Sequence, residues 1–144
     1  MKTIALAGAL VLAALPALAQ TFALPLNQYE MDQQVSTSGA SSFLLTSPQK
    51  ALASLTVVAG ASAGYALVLD AASAPANGAI GACASAATAR PCLMWCAPVA
   101  ANGFVDRQWN SPMSFSAGVL VMFSTTGCST ITASGTAQIF AQAP

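Results

Sequence analysis

The chain has 144 residues, with four Lys or Arg, four Asp or Glu and no His, so its formal net charge is zero. Charged side chains make up 6% of it, far below the usual quarter or so, which leaves neither a basic patch for a nucleic-acid backbone nor an acidic tail. The missing His excludes Ser/His/Asp and Cys/His nucleophilic systems as they are usually built.

Met1-Lys2-Thr3 carries one positive charge and is followed by an unbroken apolar run from Ile4 to Leu15, then by Pro16-Ala17-Leu18-Ala19. A basic start, a short apolar stretch, a helix breaker and an Ala-x-Ala site are the parts of a cleavable signal peptide. A membrane anchor needs roughly 20 apolar residues; this run is shorter and ends in a cleavage motif rather than a stop-transfer charge cluster. Residues 1–19 are therefore expected to form a signal helix, cut between Ala19 and Gln20, and to be the only membrane-directed part. No Cys follows that site to carry a lipid. The expected destination is the periplasm, the extracellular space or a particle surface.

Beyond residue 20 there is no long helical period. Short apolar runs alternate with Gly, Pro, Asn and Ser clusters, the mark of an all-β domain. Residues 20–38 read as an N-terminal extended arm, with residues 21–36 an extended strand or arm interrupted by Pro25, and residues 39–144 as a β-sandwich domain. Phe43-Leu44-Leu45 is a short strand ended by Ser47-Pro48, and residues 52–58 form a strand ending at Ala59-Gly60. Residues 65–69 are apolar on both faces, which predicts a central strand; it stops at Asp70, before a long Ala-rich surface loop over residues 71–90 that contains Asn77-Gly78. Residues 92–99 form a strand bent by Pro98. Asn102-Gly103 predicts a two-residue hairpin turn, with residues 104–109 as the partner strand and Ser111-Pro112 as punctuation. Phe115 and residues 119–123 predict a second strongly apolar strand, Thr126-Gly127 turns the chain, and residues 131–140 predict one final strand. About eight strands at this spacing predict a single antiparallel β-sandwich, jelly-roll or immunoglobulin-like. Tyr65, Leu67 and Leu69 share one face, as do Val119, Val121 and Phe123, and these two rows are the expected core.

After removal of residues 1–19, Lys50, Arg90 and Arg107 stand against Glu30, Asp32, Asp70 and Asp106, a net charge of −1. Such a chain has little colloidal protection against association, so self-association or packing against neighbouring subunits is expected. No catalytic carboxylate pair is recognisable: Glu30 and Asp32 read as a solvated pair on the arm, Asp70 as the cap of the turn that follows it, and Asp106 and Arg107 as neighbours pointing to opposite faces. The chain is read as a non-enzyme without a cofactor. Trp95 and Trp109, on the strands flanking Asn102-Gly103, suggest a stacking platform for a surface glycan; the plainer reading packs one in the core and lays the other over a sheet edge.

Four segments carry a family likeness. They are Gly64-Tyr65 through Asp70 to Asn77-Gly78; Cys96-Ala97-Pro98-Val99 to Asn102-Gly103; Phe115-Ser116-Ala117-Gly118-Val119 through Thr126-Gly127-Cys128; and Thr132-Ala133-Ser134 to Ala137. In this order and spacing, over roughly residues 39–141, the chain resembles small β-sandwich proteins encoded among the structural genes of tailed phages and prophages of proteobacteria. The resemblance implies a virion or particle-surface role without catalysis. The signal peptide and the segment with Cys83 and Cys92 lie outside the pattern, as in an exported host gene derived from a prophage module.

Cys83, Cys92, Cys96 and Cys128 form an even set in an exported chain, which reads as disulfides. Their spacing, without His, lacks matched zinc-knuckle pairs, and no metal is expected. Cys92 and Cys96 lie roughly 13 Å apart if extended on one strand, beyond the ~7 Å reach of a disulfide, which removes one of three connectivities. Of the two left, Cys83–Cys92 with Cys96–Cys128 is favoured because it closes the Ala-rich loop and ties a strand to the last turn. The resemblance supports that division, since Cys96 and Cys128 fall inside the matching segments. Buried free thiols at Cys96 and Cys128 are the alternative.

Overall fold

The strands among the described residues assort into two four-stranded antiparallel sheets and one small ribbon. The structure, a computed structural model, describes residues 32–45, 51–85, 88–133 and 135–144. The signal peptide expected over residues 1–19, most of the expected arm, Glu30 and Lys50 lie outside the described residues. The strands are β1 (Asp32–Ala40), β2 (Ser42–Leu44), β3 (Ala51–Ala59), β4 (Gly64–Asp70), β5 (Gly78–Ala79), β6 (Cys92–Val99), β7 (Phe104–Ser114), β8 (Val119–Ser124), β9 (Thr130–Ile131) and β10 (Ala137–Ala143). The first sheet runs β1-β10-β3-β7, the second β2-β8-β4-β6, and β5 pairs with β9. The stretch read as an arm thus contributes an edge strand from residue 32 onward.

Alternation decides which face each strand buries. Along β10, Ala137, Ile139, Ala141 and Ala143 are buried; along β3, Leu52, Leu55, Val57 and Ala59 are. Both rows join Ala66 and Val68 of β4, Val99 of β6 and Val119, Val121 and Phe123 of β8 in one apolar cluster. The two sheets therefore bury their inner faces against each other, consistent with a β-sandwich.

The other face of β4 has a core of its own. Leu67, Leu69, Leu120 and Met122 pack with Ile131 of β9, flanked by Ile80, Tyr65 and Leu93. The two expected core rows therefore lie on opposite sides of one sheet: Val119, Val121 and Phe123 face the other sheet, while Leu67 and Leu69 face outward beneath the β5–β9 ribbon. Antiparallel register sets Leu67 beside Met122 and Val68 beside Val121, so residues of odd number on β4 share a face with even ones on β8. The double-sided apolarity of β4 has a matching cause, for it lies between β8 and β6 with a core on each side.

Three further expectations are corrected. Asn102-Gly103 does turn the chain, with Asn102 at φ 54° and the Gly103 amide donating to the Ala100 carbonyl at 3.0 Å, but no hairpin forms. Strand β6 pairs with β4 and β7 with β3, so the turn passes the chain from one sheet to the other. Backbone bonds from Asn102 N to Gly60 O and from Ala59 N to Gly103 O fasten it to the end of β3. The final segment is likewise two strands: β9 closes the outer core, and β10 starts only at Ala137. Ser111-Pro112 does not end its strand; the β3–β7 register slips between Leu52 and Ser54, and the irregularity accommodates Pro112 on an edge strand.

The expected surface loop over residues 71–90 also carries structure. It contains β5, and its Gly81–Cys83 stretch covers part of the β6 edge: Leu93 N donates to Gly81 O at 2.8 Å and Cys83 N to Leu93 O at 2.9 Å. The disulfides are Cys83–Cys92 and Cys96–Cys128, with Cα separations of 5.0 and 5.8 Å. This is the favoured pairing, and both bridges anchor β6. Two disulfides fit an oxidising environment.

Candidate functional site

Asp70 ends β4 and is 2% exposed. It does not cap the turn that follows it; it holds the 116–118 turn, 46 to 48 residues away. Its Oδ1 accepts from the amides of Ala117 at 2.7 Å and Gly118 at 3.3 Å, and its Oδ2 from the Ser116 hydroxyl at 2.7 Å. The Ser116 amide reaches both oxygens. Arg90 Nε donates to Oδ2 at 2.6 Å, the one ion pair among the described residues, while its Nη1 donates to the Thr88 carbonyl. Burial alone would raise this carboxyl's pKa, but the Ser116 hydroxyl and amide, the Ala117 amide and Arg90 outweigh it and hold the pKa well below the usual carboxylate range. A carboxylate so filled with donors serves as a staple between β4, the loop after β5 and the start of β8.

Asp106 stands elsewhere, accepting from the Thr56 hydroxyl across the β3–β7 pair at 2.8 Å. Asp32 opens β1. Among the described residues, no group of three or more Cys, Asp or Glu is placed to hold a metal ion, and no helix is long and apolar enough to cross a membrane.

Trp95 and Trp109 are brought together, but across the two sheets rather than along a hairpin. Strands β6 and β7 are edge strands of opposite sheets, and the two rings meet edge to face with centroids 5.9 Å apart and planes at 82°. Both are half-buried and pack against the inter-sheet core. Rings nearly perpendicular to each other do not make a flat platform; they close the open side of the sandwich.

Sequence reading missed the surface on the outer face of the first sheet. Register places Gln142, Ser54 and Gln108 in one row, Phe140, Thr56 and Asp106 in the next, and Gln138, Val58 and Phe104 in a third. The Ser54 hydroxyl donates to Gln142 Oε1 at 2.9 Å. Phe104 is 71% exposed, whereas most large apolar side chains here are covered. Beside Val58 lies a pocket of ≈330 Å³ lined by Val58, Ala59, Gly60, Thr136, Ala137 and Gln138. Asp106 is the one charged side chain on these three rows. The signal was present in the alternation of Gln138, Phe140 and Gln142 with Ala and Ile along residues 137–143, but it shows only once β10 is known to begin at Ala137.

No family model matches this chain, and no curated protein or solved structure matches it.

Proposed function

We propose that this protein is an exported, non-catalytic β-sandwich that acts through its surface as an assembly component, as in the phage and prophage structural proteins that it resembles. The observation that carries this reading is the outer face of the first sheet, with Phe104 71% exposed among amide and hydroxyl side chains and a single carboxylate. Exposed apolar side chains on a weakly charged face favour contact with another protein surface. The absence of His from the sequence and the saturation of Asp70 by structural donors support a role without catalysis. The signal-peptide pattern at residues 1–19 and the two disulfides support export and oxidation outside the cytoplasm.

A secreted glycan- or surface-binding module is the second reading. Phe104 and Phe140 among Gln138, Gln142 and Thr56 favour it more than the mutually packed Trp95 and Trp109, because amides and hydroxyls beside an aromatic ring suit a sugar. Expressing the full chain, sequencing the exported product and measuring its size tests the proposal. The expected product begins at Gln20 and forms a defined oligomer. A monomer retained on immobilised polysaccharide would favour the second reading, and an uncut chain held in the membrane would overturn export.

A further inference from the structure

The third row of the outer face carries both a knob and a hole. Phe104 on β7 pairs in register with Val58 on β3, and Val58 pairs with Gln138 on β10. Val58 therefore neighbours the exposed ring on one side and lines the ≈330 Å³ pocket on the other. Strands in a sheet are ~4.8 Å apart, so Phe104 lies two strand spacings from Gln138, with Val58 between them in one row and both Val58 and Gln138 lining the pocket.

Resting on the assembly reading, we propose that this chain forms a two-fold dimer through the outer face of its first sheet, the Phe104 ring of each copy seated in the Val58–Gln138 pocket of the other. A knob and its hole on one face are self-complementary only under a two-fold axis, which here passes close to Val58; such isologous contacts close at two copies. The pocket is at the small end for ligand sites; its volume suits one benzyl side chain, with apolar walls from Val58, Ala59, Gly60 and Ala137 and polar ones from Thr136 and Gln138. Charge argues for a like partner. The three rows carry one carboxylate, Asp106, already engaged by Thr56, and no cation, so the face offers nothing to attract a strongly charged molecule and little to repel its own copy. Four strands about 20 Å across and about 20 Å long give a contact of roughly 800 Å² for the pair in projection, more with side-chain relief. That is the range of weak, concentration-dependent association rather than of an obligate dimer.

Sedimentation velocity of the mature, oxidised protein from low micromolar to millimolar concentration tests this, with Phe104→Ser and Gln138→Arg, which removes the knob or obstructs the hole. The expected result is a reversible monomer–dimer equilibrium in the parent. Both variants should weaken it roughly tenfold to a hundredfold, as loss of a central aromatic anchor does, with unchanged circular dichroism and melting temperature. Gln138 is exposed on its strand, so its replacement keeps the test available if Phe104→Ser folds poorly. An oligomer that persists in both variants would overturn the dimer geometry while leaving the assembly reading intact. A parent that stays monomeric throughout the range would overturn both.

Discussion

Trp95 of β6 and Trp109 of β7 belong to different sheets, yet their rings meet edge to face at 5.9 Å and close one side of the sandwich. Edge-to-face aromatic pairs contribute about 0.5–1.5 kcal/mol beyond the area they bury. Replacing either Trp with Ala should cost about 3 kcal/mol of unfolding free energy, the lower end for large aromatic truncations because both rings are only half-buried. A double-mutant cycle by urea denaturation should return a coupling of about 1 kcal/mol; additive losses would show that the rings act independently.

Asp70 supplies an acid-labile contribution to stability. Its folded pKa lies below the unfolded value of ~3.9, so the unfolded chain binds the proton more readily and low pH favours unfolding. The contribution is complete above about pH 5 and is lost as pH falls from there through the folded pKa. Asp70→Asn should cost about 3 kcal/mol at neutral pH, the lower end for breaking a buried pair, since Arg90 is 21% exposed. It should also flatten the fall in stability between pH 5 and pH 2 (about that window), as read by chemical denaturation across pH. An unchanged acid limb in the variant would refute the assignment.

The two disulfides should differ in weight. By chain-entropy reasoning, the Cys96–Cys128 bridge, spanning 32 residues, contributes roughly 3–4 kcal/mol, and Cys83–Cys92, spanning nine, roughly 2–3 kcal/mol. Loss of the shorter bridge should also loosen the segment carrying Arg90, so that Cys83→Ser with Cys92→Ser weakens the acid dependence traced to Asp70. Non-reducing peptide mapping and paired Ser variants check both points. A Cys83–Cys96 peptide would contradict the strand arrangement around β6.

Phe123, fully buried, fits because two glycines leave room for its ring. A Cβ on Gly64 would stand 2.7 Å from Phe123 Cζ and 2.5 Å from the Ser124 carbonyl oxygen, and one on Gly135 would stand 2.6 Å from Phe123 Cδ1. Gly64→Ala should destabilise by roughly 2–3 kcal/mol, since backbone cannot yield, and Gly135→Ala by roughly 1–3 kcal/mol, depending on how far the ring shifts. Combining Gly135→Ala with Phe123→Leu should recover part of the loss. No recovery would point to a cause other than the ring.

Local chemistry decided much of this protein. The apolar runs at residues 52–58, 65–69, 92–99 and 119–123 mark β3, β4, β6 and β8 because burial on one face or both leaves a pattern along the chain itself. The exclusion of Cys92–Cys96 follows from the rise of a single strand, and the two bridges seen are among those it leaves. Partnership between strands was beyond such reach. Asn102-Gly103 signals that the chain reverses, not whether the returning strand pairs with the one before it, so β7 lies in the other sheet. Tyr65, Leu67 and Leu69 share a face by alternation, but which core that face meets depends on register with β8 and on the small β5–β9 ribbon. Asp70 finds its donors 46 to 48 residues away, and Phe104 comes into one row with Val58 and Gln138 only once β10, β3 and β7 lie side by side. Local signals describe what a segment wants to bury; only the assembled sheets decide against what.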